Sequence, residues 1–304
     1  MARQKVESRF LEMNVLGMLS HLRFGTEQVV EGAYAGRHRS RQAGGASEFR
    51  EHRQYSPGDD VRWLDWKVLG RTGRSYVKVF EEETNLVATL LLDVSRSMLF
   101  GSRSSRDTTG SKLDYGRYLC AALGHIVTRE QDRCGLALAA TSVDAFLPAR
   151  TGSAHMAAML DTLENASPVP DTQLAAPLRD LFARLTERGV LILISDFLEE
   201  KLEDLFSAIR LFRHRSFDVL LLHVLHPLER RLPRGPAYRF VDLEGEGVRV
   251  CSPNEIADLY ERRFQRFLDG LRSVAVAAGC RYHLFSTSVP YVQNLKMLLV
   301  DKRG

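Results

Sequence analysis

The sequence is short of the residues that staple, anchor or metallate a fold. Four cysteines, Cys120, Cys134, Cys251 and Cys280, are spread through 304 residues. None forms a Cys-x-x-Cys pair, which argues against zinc and against a disulfide framework and fits a reducing cytoplasm. Apolar runs are only strand-sized; none nears the roughly 18 residues needed to cross a bilayer. Charges interrupt the opening Met-Ala-Arg-Gln-Lys-Val-Glu-Ser-Arg-Phe-Leu-Glu, so a secretory signal is not expected. Enzyme signatures are missing as well: there is no Gly-x-Ser-x-Gly elbow and no His-Glu-x-x-His. Gly110-Ser111-Lys112 has the wrong order for a phosphate-binding loop, which needs Gly-Lys followed by Ser or Thr after a strand. His223 and His226 lie close together on an expected strand but face opposite sides, so they do not share a metal. The net charge of +4 is too mild to name a partner for the whole chain.

What is present begins with 44% hydrophobic residues, enough over this length for one large domain and a smaller one. The organising stretch is Asn85 to Met98, Asn-Leu-Val-Ala-Thr-Leu-Leu-Leu-Asp-Val-Ser-Arg-Ser-Met. A short apolar run bounded by polar residues and followed by a helix suits a strand buried on both faces of a parallel sheet. Such sheets bind ligands at their carboxyl ends. Here that end carries Asp93, Ser95 and Ser97, oxygen-bearing side chains at alternating positions that offer hard ligands to Mg²⁺ or Mn²⁺. The same residue types also suit a strand end and a helix cap.

Strand and helix patterns alternate from there onward. A helix opens at Lys112; strands are expected over Arg133 to Ala140 and, at the sheet edge, Asp144 to Pro148; helices follow over Ala154 to Glu164 and Leu174 to Arg188. Val190 to Ile194 is a further buried strand ahead of Asp196. Leu202, Leu205, Phe206 and Ile209 mark a helix, and Phe217 to Val224 a strand. A long helix, Asn254 to Ala278, places Ile256, Leu259, Phe264, Phe267, Leu268, Leu271 and Val274 on one stripe, and Arg281 to Phe285 and Val289 to Leu299 close the chain as strand and helix. The alternation predicts an α/β fold, a doubly wound and mostly parallel sheet, over residues 85–304, with a hairpin insertion near residues 227–252.

Residues 1–84 read as an amino-terminal extension: an amphipathic helix through Phe10, Leu11, Val15, Met18, Leu19 and Leu22, then β-rich segments from Gln28 broken by glycines. The extension holds Tyr55-Ser-Pro57-Gly58-Asp59-Asp60-Val-Arg62-Trp63-Leu64-Asp65-Trp66-Lys67, in which Pro-Gly-Asp marks a tight turn. Trp63 and Trp66, the only tryptophans, suit packing anchors or a partner contact. Between Gly36 and Lys78 ten Arg or Lys outnumber five Asp or Glu, a local positive patch.

Together with Arg71-Thr-Gly73, Val77-Lys78-x-Phe80-Glu81-Glu82-Glu83 and Leu-Leu-Leu-Asp93-x-Ser95-x-Ser97-Met98, that motif resembles the signature of the bacterial domain-of-unknown-function fifty-eight family, over roughly Arg37 to the carboxyl terminus. The Asp-x-Ser-x-Ser resembles the metal-ion-dependent adhesion site of von Willebrand factor A domains. The resemblance implies a von Willebrand A-like, Rossmann-type fold with a small β-rich amino-terminal extension. It also implies a metal set completed by Thr172, in Pro170-Asp171-Thr172-Gln173-Leu174, and by Asp196, after Gly189-Val-Leu-Ile-Leu-Ile-Ser. Ser95 and Ser97 would bind Mg²⁺ (or Mn²⁺) directly, Asp93 and Asp196 directly or through water, and Thr172 in some states, leaving a position for a partner's carboxylate. Two departures stand out: Arg96 between the serines, which alternation aims away from the metal, and Pro170-Asp171 where relatives have Gly-Gly.

The expected function is therefore that of a cytoplasmic, metal-dependent adaptor and not of an enzyme. The resemblance implies a MoxR-type AAA+ ATPase and an unknown client protein as partners, in chaperone-like maturation of a client complex. The alternative is a metal-dependent phosphodiesterase or nuclease using Asp59, Asp65 and Lys67, with the metal activating water. Nucleic-acid binding through Arg37, Arg39 and Arg41 predicts steep loss of affinity with salt, but the interleaved aromatics of a single-strand binder are missing.

Overall fold

The computed structural model describes residues 9–11, 17, 19, 22–23, 47–56, 64–82, 86–101, 110–170, 173–199, 201–233, 235, 237–241 and 247–301. The chain forms two compact units, one of residues 25–85 and one of residues 1–24 with 86–304. The first 24 residues thus go with the larger unit, whereas the sequence pattern groups them with the extension. Their apolar side chains explain this: Phe10, Leu11 and Leu19 are buried in the larger unit's core. Leu22–Arg23 (β1) is a short strand, not the helix end that the periodicity suggests.

In the smaller unit, Ser47–Gln54 (β2) pairs antiparallel with Tyr76–Glu82 (β3), and Trp66–Thr72 (α1) lies between them in sequence. Asp65 starts α1 by accepting the N–H groups of Lys67 at 2.9 Å and Val68 at 3.1 Å, which satisfies two donors that a helix start leaves open. Gly73 stops it at φ 65°, the left-handed turn that glycine adopts without strain. Trp66 stands 65% exposed; Trp63 lies outside the described residues, as do Arg37, Arg39, Arg41, Asp59 and the extended segments expected from Gln28 to Ala46.

The larger unit is built on Val87–Asp93 (β4), Lys112–Arg129 (α2), Arg133–Ala139 (β5), Val143–Arg150 (β6), Ser153–Glu164 (α3), Ala175–Arg184 (α4), Val190–Ser195 (β7), Leu202–His214 (α5) and Asp218–Leu225 (β8). Pro227–Arg230 (α6), Tyr238–Val241 (β9), Val248–Cys251 (β10), Pro253–Ala277 (α7), Arg281–Ser286 (β11), Tyr291–Leu298 (α8) and Val300–Asp301 (β12) follow. The six-stranded sheet has the order β11-β8-β7-β4-β5-β6. Its strands run parallel except β6, which pairs antiparallel with β5 at the edge. This is the doubly wound, mostly parallel α/β arrangement that the alternation of strands and helices predicts.

β4 is the middle of the fold because its side chains feed both cores. Ala88, Leu90 and Leu92 enter the cluster under α2 and α3, while Leu91 enters the opposite one with α4 and α5. From β4 the chain steps to β5 and β6 on one side and returns to β7 on the other. The carboxyl ends of β4 and β7 therefore meet at the sheet's switch point, where such folds bind ligands. The expected insertion is the antiparallel hairpin β9–β10, a two-stranded sheet of its own. The long helix α7 departs from its sequence stripe. Leu268, Leu271 and Ala275 are buried, but Ile256 and Leu259 near its start are exposed. A continuous stripe predicts burial along its whole length, and only the carboxyl half of α7 supplies side chains to the core.

Candidate functional site

At the end of β4, the fully buried Asp93 carboxylate turns the chain back on itself: one oxygen accepts the Ser95 N–H at 2.9 Å. The turn is tied on both sides. Val94 N–H donates to Ala139 O at 2.9 Å, and Arg96 N–H donates to Val169 O at 3.0 Å while Val169 N–H donates to Val94 O at 2.9 Å. Val169 thereby fixes the segment approaching Thr172 beside Ser95, although Thr172 itself lies outside the described residues. The hydroxyls of Ser95 and Ser97 are 2.9 Å apart. Arg96 is exposed, at the first position of a 3-10 turn over Arg96–Leu99 and not within the strand.

The end of β7 meets this turn. The Ser195 hydroxyl donates to the second Asp93 oxygen at 2.6 Å and accepts the Phe197 N–H at 2.9 Å. Those bonds hold Phe197 at φ 50°, a left-handed backbone that a bulky residue adopts only under tertiary constraint. Asp196, between them, is fully buried and bonded to the Ser97 hydroxyl. It also accepts the Leu198 N–H at 3.2 Å and the Lys112 ammonium at 2.6 Å. Four of the five expected ligands, Asp93, Ser95, Ser97 and Asp196, are thus gathered at one point of the rim.

Sequence reading missed three members of the cluster. Ser195 was seen only as the residue before Asp196. Lys112 reads in the sequence only as a helix start beside Gly110-Ser111, yet its side chain is fully buried and forms ion pairs with Asp196 and Glu229. Glu229, in the first turn of α6, also accepts the His226 N–H at 2.8 Å, so that His226 and Glu229 cap the helix reciprocally. His226 therefore belongs to the cap and not to the strand. His223, within β8, is buried with its Nδ1 2.7 Å from the Tyr282 hydroxyl.

The charges are unevenly shared. Burial opposes ionisation of Asp196, but the Lys112 ammonium together with the hydrogen bonds from Leu198 and Ser97 holds the carboxyl below its ordinary range. Burial likewise opposes the Lys112 charge, and the two carboxylates beside it hold its pKa above the usual value. Asp93 is different: burial, reinforced by Asp196, raises it to about 7, and its hydrogen-bond donors, Ser95 and Ser195, are neutral. Burial also raises Glu229.

The donor chemistry fits a hard divalent cation. Hydroxyls and carboxylates suit Mg²⁺, and among the described residues the hydrogen-bond donors to the buried Asp93 carboxyl are the neutral Ser95 and Ser195. Among the described residues no group of three or more His, Cys, Asp and Glu side chains gathers, so the serine hydroxyls would have to be part of any such site.

Residues 51–266 match the family described as protein of unknown function DUF58. The uncharacterized protein Rv1480 of Mycobacterium tuberculosis is 31% identical over 237 residues, covering 77% of this chain and 72% of its own length. Solved structures that are similar include an aerotolerance-related membrane protein from Bacteroides fragilis, at 19% identity and a TM-score of 0.49, and BatB from Bacteroides thetaiotaomicron, at 17% and 0.46. Each alignment covers 70% of this chain and 96% of the other. With its Asp-x-Ser-x-Ser turn at the switch point and this match over most of its length, the chain belongs to the DUF58 family.

Proposed function

We propose that this protein is a non-catalytic adaptor that binds a partner protein at the carboxyl rim of its sheet. The observation that carries this reading is the gathering of Asp93, Ser95, Ser97 and Asp196 at one point of the switch-point rim, with the serine hydroxyls 2.9 Å apart. Ser95 and Ser97 would hold Mg²⁺ directly, with Asp93 and Asp196 supplying negative charge around it. The ion, when bound, supplies a positive anchor for an Asp or Glu of the partner. The partner proposed is a MoxR-type AAA+ ATPase, acting with the adaptor on a client complex in a chaperone-like step. The phosphodiesterase reading has less support, because one Asp65 oxygen is already engaged as the cap of α1.

The test is direct binding of the purified chain to the MoxR-type ATPase of the same organism, in Mg²⁺ and in EDTA. Asp93→Asn and the pair Ser95→Ala/Ser97→Ala are expected to abolish a Mg²⁺-dependent complex while circular dichroism stays unchanged. Binding that survives both variants, or that ignores EDTA, overturns the proposal.

A further inference from the structure

The ammonium of Lys112 is the best-connected charge in the rim. It reaches Asp196 at 2.6 Å and ion-pairs with Glu229, partners 84 and 117 positions further along the chain. Its side chain is 0% exposed, and the ammonium also faces the Phe100 ring, 5.9 Å from the centroid. Backbone bonds keep it there: Lys112 N–H donates to Phe100 O at 3.1 Å, just after the serine turn. Glu229 is held in turn by the His226 N–H at 2.8 Å, and its carbonyl accepts the Tyr260 hydroxyl at 2.6 Å. Three segments that share no local structure, the start of α2, the end of β7 and the start of α6, converge on one positive charge.

An ammonium and an inorganic cation compete for the same carboxylate oxygens. At Asp196 one oxygen is taken by Lys112 and the other by the Leu198 N–H. A metal coordinated there directly would have to displace the lysine from a pocket with no solvent to receive it. Among the described residues Asp93 has no such competitor, since both its hydrogen-bond donors are neutral.

We propose that Lys112 is a built-in cation of the rim: it fills at Asp196 the place an inorganic ion would take, and it keeps the rim assembled when no metal is present. A bound Mg²⁺ is then confined to the side of Asp93, Ser95 and Ser97, with Asp196 acting on it through the Ser97 hydroxyl and through charge. This deepens the adaptor reading, on which only the Mg²⁺ half of it rests; the positioning role of Lys112 stands apart from any partner.

The experiment compares the full-length chain with Lys112→Met and with Lys112→Met/Glu229→Gln, the second variant removing one of the two carboxylates that the first strands. Thermal unfolding is followed in EDTA and in Mg²⁺, and cation affinity is read by electron paramagnetic resonance of Mn²⁺. In EDTA the single variant is expected to melt roughly 10 °C lower than the parent, as loss of one partner of a buried ion pair implies, and Mg²⁺ should restore much of that loss. The double variant should fold in EDTA and bind Mn²⁺ at least ~10-fold more tightly than the parent, the scale on which neighbouring groups tune metal sites. Should the single variant fail to fold in either condition, the double variant decides. Equal or weaker Mn²⁺ affinity in the double variant overturns the proposal, and so does a single variant as stable as the parent in EDTA. A parent that binds no Mn²⁺ beside a double variant that does would leave Lys112 in its role and remove the metal from the adaptor reading.

Discussion

Glu199 lies just beyond Asp196, with one carboxylate oxygen accepting the Leu174 N–H at 2.6 Å. Burial lifts its pKa to about 7, with smaller pushes from Asp196 and Asp204. The folded chain therefore holds this proton more tightly than the unfolded chain does. Linkage then gives a contribution to stability that is fully present below the unfolded pKa, near 4.5, and is lost as pH rises through about 7. Glu199→Gln keeps an acceptor for Leu174 and removes the titration. Urea unfolding at several pH values should show the parent losing stability between pH about 4.5 and 7 relative to the variant; parallel pH profiles would exclude the effect. At the same scale, the difference between Asp93 and Asp196 follows from their neighbours: one buried carboxylate has an ammonium at hydrogen-bond distance, the other has a serine hydroxyl and a backbone amide.

Among the elements, α2 does most to place the site, because it carries Lys112 and packs across β4. The approach is close. A Cβ at Gly116 would fall 2.6 Å from Cδ1 of Leu92, a fully buried residue one position before Asp93. Gly116→Ala gains about 1 kcal/mol in helix propensity and loses about 1–3 kcal/mol to overpacking in a core with little room to relax. A net loss of about 1 kcal/mol is expected in denaturant melts, with a shift of α2 that disturbs the Lys112–Asp196 contact. At α7 the same scale shows the limit of periodicity. The repeat of apolar residues names a face, but which part of that face is covered depends on where neighbouring elements end.

For the molecule as a whole, Phe10, Leu11 and Leu19 near the amino terminus are part of the larger unit's core. Phe10 is buried, meets Tyr118 edge-on at 5.1 Å and lies beneath Arg117, whose guanidinium carbon is 5.7 Å from the ring centroid. Phe10→Ala should cost about 3–5 kcal/mol in chemical unfolding, the range for emptying an aromatic site in a core; a loss under about 1 kcal/mol would mean that the segment is only loosely attached. The sheet, its mostly parallel run and a short strand at its edge were legible in the sequence, because an apolar run such as Val190 to Ser195 or the alternation of strand and helix is a local signal; that the edge strand runs antiparallel was not. Asp93, Ser95 and Ser97 were legible for the same reason, as polar residues closing such a run, and the family resemblance supplied Asp196. Lys112 and Glu229 were not. Each sits in a helix start of ordinary composition, and nothing near either residue announces the other. The sequence by itself determined where the strands of the six-stranded sheet lie and that Val87–Asp93 ends in a hydroxyl-rich acidic turn. Only the tertiary structure decided that a lysine and a glutamate would join that turn, because their meeting is set by strand order and helix packing over more than a hundred residues, and no local pattern encodes it.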